Sequence, residues 1–261
     1  MAENNKNNNH YKISDNDSGF EISDEFERFN QINDIFSRAF WDNSVRNDLS
    51  EAFFESHRVQ PNAKKASGFQ QKDFALRNAA WAVSDTFSDR SAHAGNREGF
   101  QSWMENDVSI ADEKLAINDI GKFSNELKQI AKLFGADLIG FVPIDVRWHY
   151  SKKVNTIKFE PVSNKLPGNF SSVIVMGHAM DKSLVDTYPS ALASSAAGLE
   201  YSREAAIVTQ MTTYIRSLGY EALGSMNDTA LAIPYAIQAG LGEYGRNPVS
   251  YTHLTLPTIV G

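Results

Sequence analysis

Residues 201–247 read YSREAAIVTQMTTYIRSLGYEALGSMNDTALAIPYAIQAGLGEYGRN. The pattern predicts a long helix from about Pro189 to Leu218, stopped by Gly219, because glycine tolerates the left-handed backbone that ends helices. Tyr220–Leu223 is expected as a short strand and Leu231–Ala239 as a further helix. A glycine-rich loop, Gly240 to Asn247, closes the run. Upstream, the small residues of Ala191–Gly198 leave room for something bulky on that face of the long helix.

Moving outward, Asp119 can cap a helix whose apolar face is Ile120, Phe123, Leu127, Ile130, Ala131 and Phe134, with Gly135 as its end. Asp137–Val142 follows as a strand closed by Pro143. Ser172–His178 is continuously apolar, the pattern of a strand buried on both faces. Helices alternating with strands predict a layered α/β (α+β) core over residues 116–247. Residues 21–115 form an N-terminal region of short helices and long loops. Within it Phe26, Phe29, Ile32, Ile35, Phe36 and Phe40 recur at mostly three- and four-residue steps, predicting a helix or a wrapped aromatic arm. Trp41, Trp81 and Trp103 are potential pocket walls. Residues 1–20, rich in Asn, Asp and Ser, are expected to be disordered.

Bulk properties remove several functions. The 261 residues carry a net charge of -7, against the basic footprint of a nucleic-acid partner. No stretch approaches the ~18 apolar residues of a membrane span. Neither a secretory nor a twin-arginine signal is visible, so the chain as written reads as cytoplasmic. With no cysteine in the chain, thiolate metal sites and iron–sulfur ligation have no ligands here.

The motifs each have a plain reading. Gly240, Gly242 and Gly245 match G-x-G-x-x-G, but a helix rather than a strand precedes them, against a dinucleotide site. The loop is either a helix cap with a turn, or a place where backbone approaches a large planar cofactor because glycine lacks Cβ. No hydrolase or P-loop motif is present. The six histidines lack metal-ligand spacing, and no metal site is predicted. His178 reads as a hydrogen-bonded core histidine. By spacing alone, Tyr201 is a core tyrosine and Asn227 a turn asparagine.

Several ordered segments together resemble corrinoid-dependent reductive dehalogenases: FERFNQINDIFSRAFWD, ELKQIAKLFGADLIGFVPIDVRWHY, LPGNFSSVIVMGHAMD and the 201–247 block. The resemblance implies a nitroreductase-like core holding a base-off corrinoid, followed by a ferredoxin-like part with two 4Fe–4S clusters. It implies that an organohalide R–X takes two electrons and a proton to give R–H and halide. It places the proton donor on Tyr201 and the amide that orients the halide or the phenol on Asn227. Gly240, Gly242, Gly245, Arg246 and Asn247 are expected against the corrinoid. Two other readings share parts of this pattern. An epoxyqueuosine reductase-like enzyme has the same core but a carboxylic acid at the position of Tyr201, and a non-catalytic module would bind corrinoid alone.

After Asn247 the match stops. PVSYTHLTLPTIVG resembles translated sequencing adapter, so residues 248–261 are expected to be non-native and the chain a C-terminally truncated fragment. An active-site arginine and the cluster motifs would then be missing, leaving the fragment inactive. The partners implied are an organohalide, an electron donor and, for an exported member that has lost its start, a small membrane anchor protein at the outer face of the membrane.

Overall fold

The computed structural model describes residues 22–51 and 66–242. Expectations for residues 1–20, Gly245, Arg246, Asn247 and 248–261 lie outside the described residues. The elements run α1 (Ile35–Trp41), α2 (Gln71–Asp89), α3 (Ile120–Phe134), β1 (Leu138–Pro143), β2 (Lys152–Asn155), β3 (Glu160–Ser163), β4 (Ser172–Gly177), α4 (Lys182–Val185), α5 (Ala191–Ser217) and α6 (Ala232–Gln238). This is a mixed α+β arrangement with two small antiparallel sheets, β1 with β4 and β2 with β3.

The central helix α5 forms where its pattern predicts. The Ser190 hydroxyl accepts from the Ala193 N–H at its start, 3.1 Å. Beyond its end Gly219 has φ +82, and a Cβ there would lie 2.6 Å from the backbone of Lys114. No other residue fits both constraints. Helix α3 is capped as expected, by the Asp119 carboxylate on Lys122 N–H at 2.9 Å and by left-handed Gly135. Its buried Leu127 and Ala131 pack with Ile139, Ile207 and Met211, which joins α3 to β1 and α5. Ile120, assigned to that apolar face, is instead exposed, because it sits at the first turn, beyond the reach of α5.

Two further expectations need correction and two hold. Ser172–Gly177 packs on both faces, as its pattern predicts: Val173 and Val175 join the core of Val142, Trp148 and Tyr235, while Ile174 and Met176 lie against that of Leu127, Ile139 and Ile207. Tyr220–Leu223 is not a strand; the one bridge nearby joins Gly224 to Met104. The polar region before residue 116 contains the 19-residue helix α2 in place of only short helices. Its buried face is Asp73, Phe74, Arg77, Ala80, Trp81, Ser84 and Ser88, helically spaced but half polar. The small-residue face of α5 admits a bulky group as expected, the Trp81 indole of α2, which a Cβ on Gly198 would strike.

The N-terminal aromatic segment is a wrapped arm followed by the short helix α1. Phe26 meets Trp148 edge-on at 5.6 Å and Phe29 tilts against Tyr150 at 6.0 Å. Arg28 donates to the carbonyls of His149 and Tyr150, both at 3.0 Å, fixing the arm's course. Buried Gln31 donates to the Phe100 carbonyl at 2.6 Å and accepts from Val154 N–H at 3.2 Å. One amide therefore ties the arm, the loop before residue 104 and β2 together.

Candidate active site

Tyr201 lies on α5 with both ring faces covered. Trp81 stacks on one side at 5.0 Å and Phe100 on the other at 5.2 Å, each tilted by 21°. Such pairs contribute about 0.5–1.5 kcal/mol beyond burial. Trp81 is held from α2: its indole N–H donates to Ser194 C=O at 3.0 Å, and the Ser202 hydroxyl donates to Ala80 C=O at 2.5 Å. Phe100 rides on a loop fixed by the ion pair between Arg90 and fully buried Glu98. With both faces blocked, the phenol presents only its edge and its hydroxyl.

That hydroxyl accepts from the Asn227 amide N–H at 2.5 Å. The two residues are 26 positions apart, and a structured loop brings them together. Buried Asp228 accepts from Met226 N–H at 2.8 Å, from the Ser225 hydroxyl at 3.1 Å and from the Thr229 hydroxyl. Asn227 N–H donates to Gly99 C=O at 3.0 Å, so the loops bearing Phe100 and Asn227 share a backbone bond. Tyr201 and Asn227, the two residues named by the family resemblance, are in hydrogen-bond contact.

Burial raises the Tyr201 phenol far above the usual range; negative Glu204 adds to this, with Asp34 and Tyr150 behind it, and only the Asn227 hydrogen bond opposes. Glu204 is itself pushed up to about 8 by burial, with Asp228 and Glu200 adding like charge. The residue is part-buried as a whole, yet its carboxyl bears a heavy desolvation penalty. Asp228 is pushed up to about 6, again by burial. Lys153 moves the other way: burial lowers it, Asp228 partly restores it, and its ammonium lies 4.8 Å over the Trp103 ring. The charges that act most on Tyr201 are all negative, so the phenol holds its proton firmly.

Of the expected cofactor-side residues, Gly240 and Gly242 are described. Gly240 caps α6, with its N–H on Ile237 C=O at 2.9 Å and φ +71. A Cβ added there would meet nothing within 4 Å. The helix-cap reading of the loop therefore holds at this position. Trp41 stands apart from the site, half-exposed, with its indole on Ile32 C=O at 2.9 Å. His178 is a half-buried histidine whose ring lies near the Gly135 backbone. Iron–sulfur clusters do not fit this chain, which has no cysteine, and among the described residues no acid and histidine grouping suits a metal.

Phe100, Glu204, Gln31 and Asp228 belong to the site and were not singled out by sequence. Glu204 had a usable signal, since residues three apart on a helix are neighbours. The others arrive through loops that carry no periodicity.

No family model matches the sequence. Curated relatives include tetrachloroethene reductive dehalogenases of Desulfitobacterium hafniense and Dehalobacter restrictus, each 28% identical over 246 residues, covering 71% of this chain and 45% of the relative. Another, from Sulfurospirillum multivorans, is 27% identical over 150 residues, 48% of this chain and 30% of the relative. The chain spans about half the length of the first two. Among solved structures, a reductive dehalogenase described for B12-dependent dehalogenation has a TM-score of 0.52 at 15% identity, over 85% of this chain and 28% of that one. A catabolic reductive dehalogenase in complex with 3-bromo-4-hydroxybenzoic acid gives 0.53 at 15% identity, over 86% and 28%. The sequence resemblance to reductive dehalogenases, an oxidoreductase family, is borne out, and the folds are alike.

Proposed function

We propose that these residues form the substrate-facing, corrinoid-binding part of a reductive dehalogenase that converts R–X, two electrons and a proton to R–H and halide. The observation that carries this is the 2.5 Å contact from the Asn227 amide to the Tyr201 hydroxyl, inside an aromatic clamp. A nitroreductase-like layering of the complete core, with residues 21–115 covering 116–247, belongs to the same proposal. Gly240, Gly242, Gly245, Arg246 and Asn247 are the residues assigned to hold the corrinoid. When bound, that group supplies the two-electron chemistry that breaks the carbon–halogen bond.

The chain's own residues supply the proton. A phenol is a weak acid, with pKa near ~10 in water, and burial weakens it further here. It does not ionise idly at neutral pH, yet it can protonate a carbon that develops carbanion character beside it. Trp81 and Phe100 fix the ring so that the O–H aims at one place, and they keep water from its faces. Asn227 donates to the phenol oxygen, which steadies the phenolate left after transfer. Being neutral, the amide can also donate to a departing halide without burying a second charge.

Electrons must reach the site from iron–sulfur clusters or another donor outside this cysteine-free sequence, so the 261 residues alone are expected not to turn over. No described helix is long and apolar enough to cross a membrane; the partners proposed are an organohalide and an electron donor or small membrane anchor protein.

The test is Tyr201→Phe in a full-length protein carrying this region, assayed with a panel of organohalides. The expected loss is at least ~100-fold in kcat. Activity within a few-fold of wild type would remove Tyr201 from the role.

A further inference from the structure

Gln31 sits on the N-terminal arm, 4% exposed, and its side-chain amide meets three separate parts of the chain. Its Nε2 donates to the Phe100 carbonyl at 2.6 Å and reaches the Asn227 carbonyl at 3.5 Å. Its Oε1 accepts from the Val154 N–H of β2 at 3.2 Å. The orientation of the amide is forced, because the Val154 N–H needs an oxygen and the two carbonyls need the nitrogen. Phe100 and Asn227 are the residues that frame Tyr201, one stacked on its ring at 5.2 Å and the other on its hydroxyl at 2.5 Å. The Phe100 ring also carries the Arg97 guanidinium at 4.6 Å, so a shift of the Phe100 backbone moves a ring already packed in place. The arm itself is held without this amide. Arg28 donates to the His149 and Tyr150 carbonyls, both at 3.0 Å, Ser151 N–H donates to Phe29 C=O at 2.8 Å, and Asn30 bridges to Lys152.

Burying an amide is unfavourable unless its donors and its acceptor are paired, and a fully paired amide fixes the spacing of the groups it joins. The groups joined here are the backbones of the two loops that carry Phe100 and Asn227. Those loops share one direct bond, Asn227 N–H to Gly99 C=O at 3.0 Å. A single hydrogen bond leaves two loops free to pivot about it. Gln31 adds a second point of attachment and ties both loops to β2, which removes the pivot. We infer that Gln31 is a positioning residue for the proton-transfer site, holding the Phe100 ring and the Asn227 amide at the separation that aims the Tyr201 hydroxyl. This rests on Tyr201 being the proton donor and Asn227 its partner. Gln31 acts through the two backbones and not on the phenol directly. The effect is large enough to matter, since a misplacement of ~1 Å around a reacting group can cost up to ~100-fold in rate.

The experiment measures kcat and KM in a full-length holoenzyme carrying this region, for wild type, Gln31→Met, Asn227→Ala and the double variant. Methionine keeps the volume of glutamine and removes all three hydrogen bonds. Gln31→Met should lower kcat by at least ~5-fold with KM changed far less, because no group that binds substrate is altered. In the Asn227→Ala background the same substitution should cost under ~2-fold, because the amide it positions is gone. Equal costs in the two backgrounds overturn the inference and mark Gln31 as structural support alone; so does a wild-type kcat in Gln31→Met. If Gln31→Met does not fold, Gln31→Glu decides the matter. A neutral carboxyl can accept from Val154 N–H and donate to Phe100 C=O, whereas a carboxylate repels both carbonyls. The kcat of Gln31→Glu relative to wild type should therefore be at least ~3-fold higher at about pH 5 than at about pH 8. A ratio that is flat with pH overturns the inference. Wild-type turnover by Tyr201→Phe or Asn227→Ala is a different failure, because it removes the proposed site itself and shows in those variants without any change at Gln31.

Discussion

Tyr201, the proposed proton donor, sits among carboxyls, and the Asn227 hydrogen bond opposes their effect on its phenol. Asn227 donates to Tyr201 Oη at 2.5 Å and is the one influence that lowers the phenol's pKa. Asn227→Ala should therefore shift Tyr201 ionisation to higher pH and reduce kcat by at least ~10-fold, a loss confined to the transition state, with KM little changed. Steady-state kinetics in the full-length protein would show it; a rise in KM at constant kcat would mean that the amide only binds substrate. Neither residue was legible from spacing, because a contact across 26 positions depends on how a loop folds. Both came from the likeness of whole segments to a family. Glu204 was nearer to hand, three residues along the same helix, but an acid on a mostly apolar stretch reads as a solvated turn until its burial is known.

At the scale of elements, the site is built where α2 crosses α5. Gly198 makes that crossing close enough for the Trp81 indole to reach over and stack on Tyr201. A side chain at 198 must push α2 away. Gly198→Leu is expected to destabilise the fold by about 1–3 kcal/mol through overpacking. Trp81→Ala, which leaves a cavity instead, should lose about 3–5 kcal/mol. Urea denaturation would measure both, and near-UV circular dichroism would report the loss of the Trp81–Tyr201 stack. A Gly198→Leu protein as stable as wild type would mean that the helices are not this close. The helices α3, α5 and α6 were readable because each pairs an apolar stripe with a capping residue or a glycine stop. Helix α2 was not, since Asp73, Arg77, Ser84 and Ser88 occupy its buried face and erase the hydrophobic period. β4 was legible as well: its apolar run packs against a core on each face, although among the described residues it pairs on one side only.

Across the whole molecule, buried titratable groups pull stability in two directions with pH. His149 and His178 are lowered from the ordinary 6.5 chiefly by burial, so the unfolded chain binds their protons more readily. Their contribution to stability is present above about pH 6.5 and falls as the pH drops below it. Glu204 and Asp228 do the reverse. Their folded values, about 8 and about 6, stand above the ordinary 4.5 and 3.8, so the folded state holds these protons more tightly. Their contribution is complete in acid and is lost as the pH rises, first through the Asp228 value and then through that of Glu204. Glu204→Gln isolates the effect of the more strongly shifted acid, since the amide cannot ionise. The variant and wild type should have similar stability near pH 4.5 and diverge above it, the variant becoming more stable by on the order of 2 kcal/mol at pH 9. That figure is well below the full linkage value because residue 204 keeps some contact with solvent. Denaturant midpoints at the two pH values, taken on corrinoid-free protein, would decide it. Parallel curves would place the carboxyl in water and remove its influence on stability. Diverging curves would mean that α5 carries, three residues from Tyr201, an acid that weakens the fold at alkaline pH.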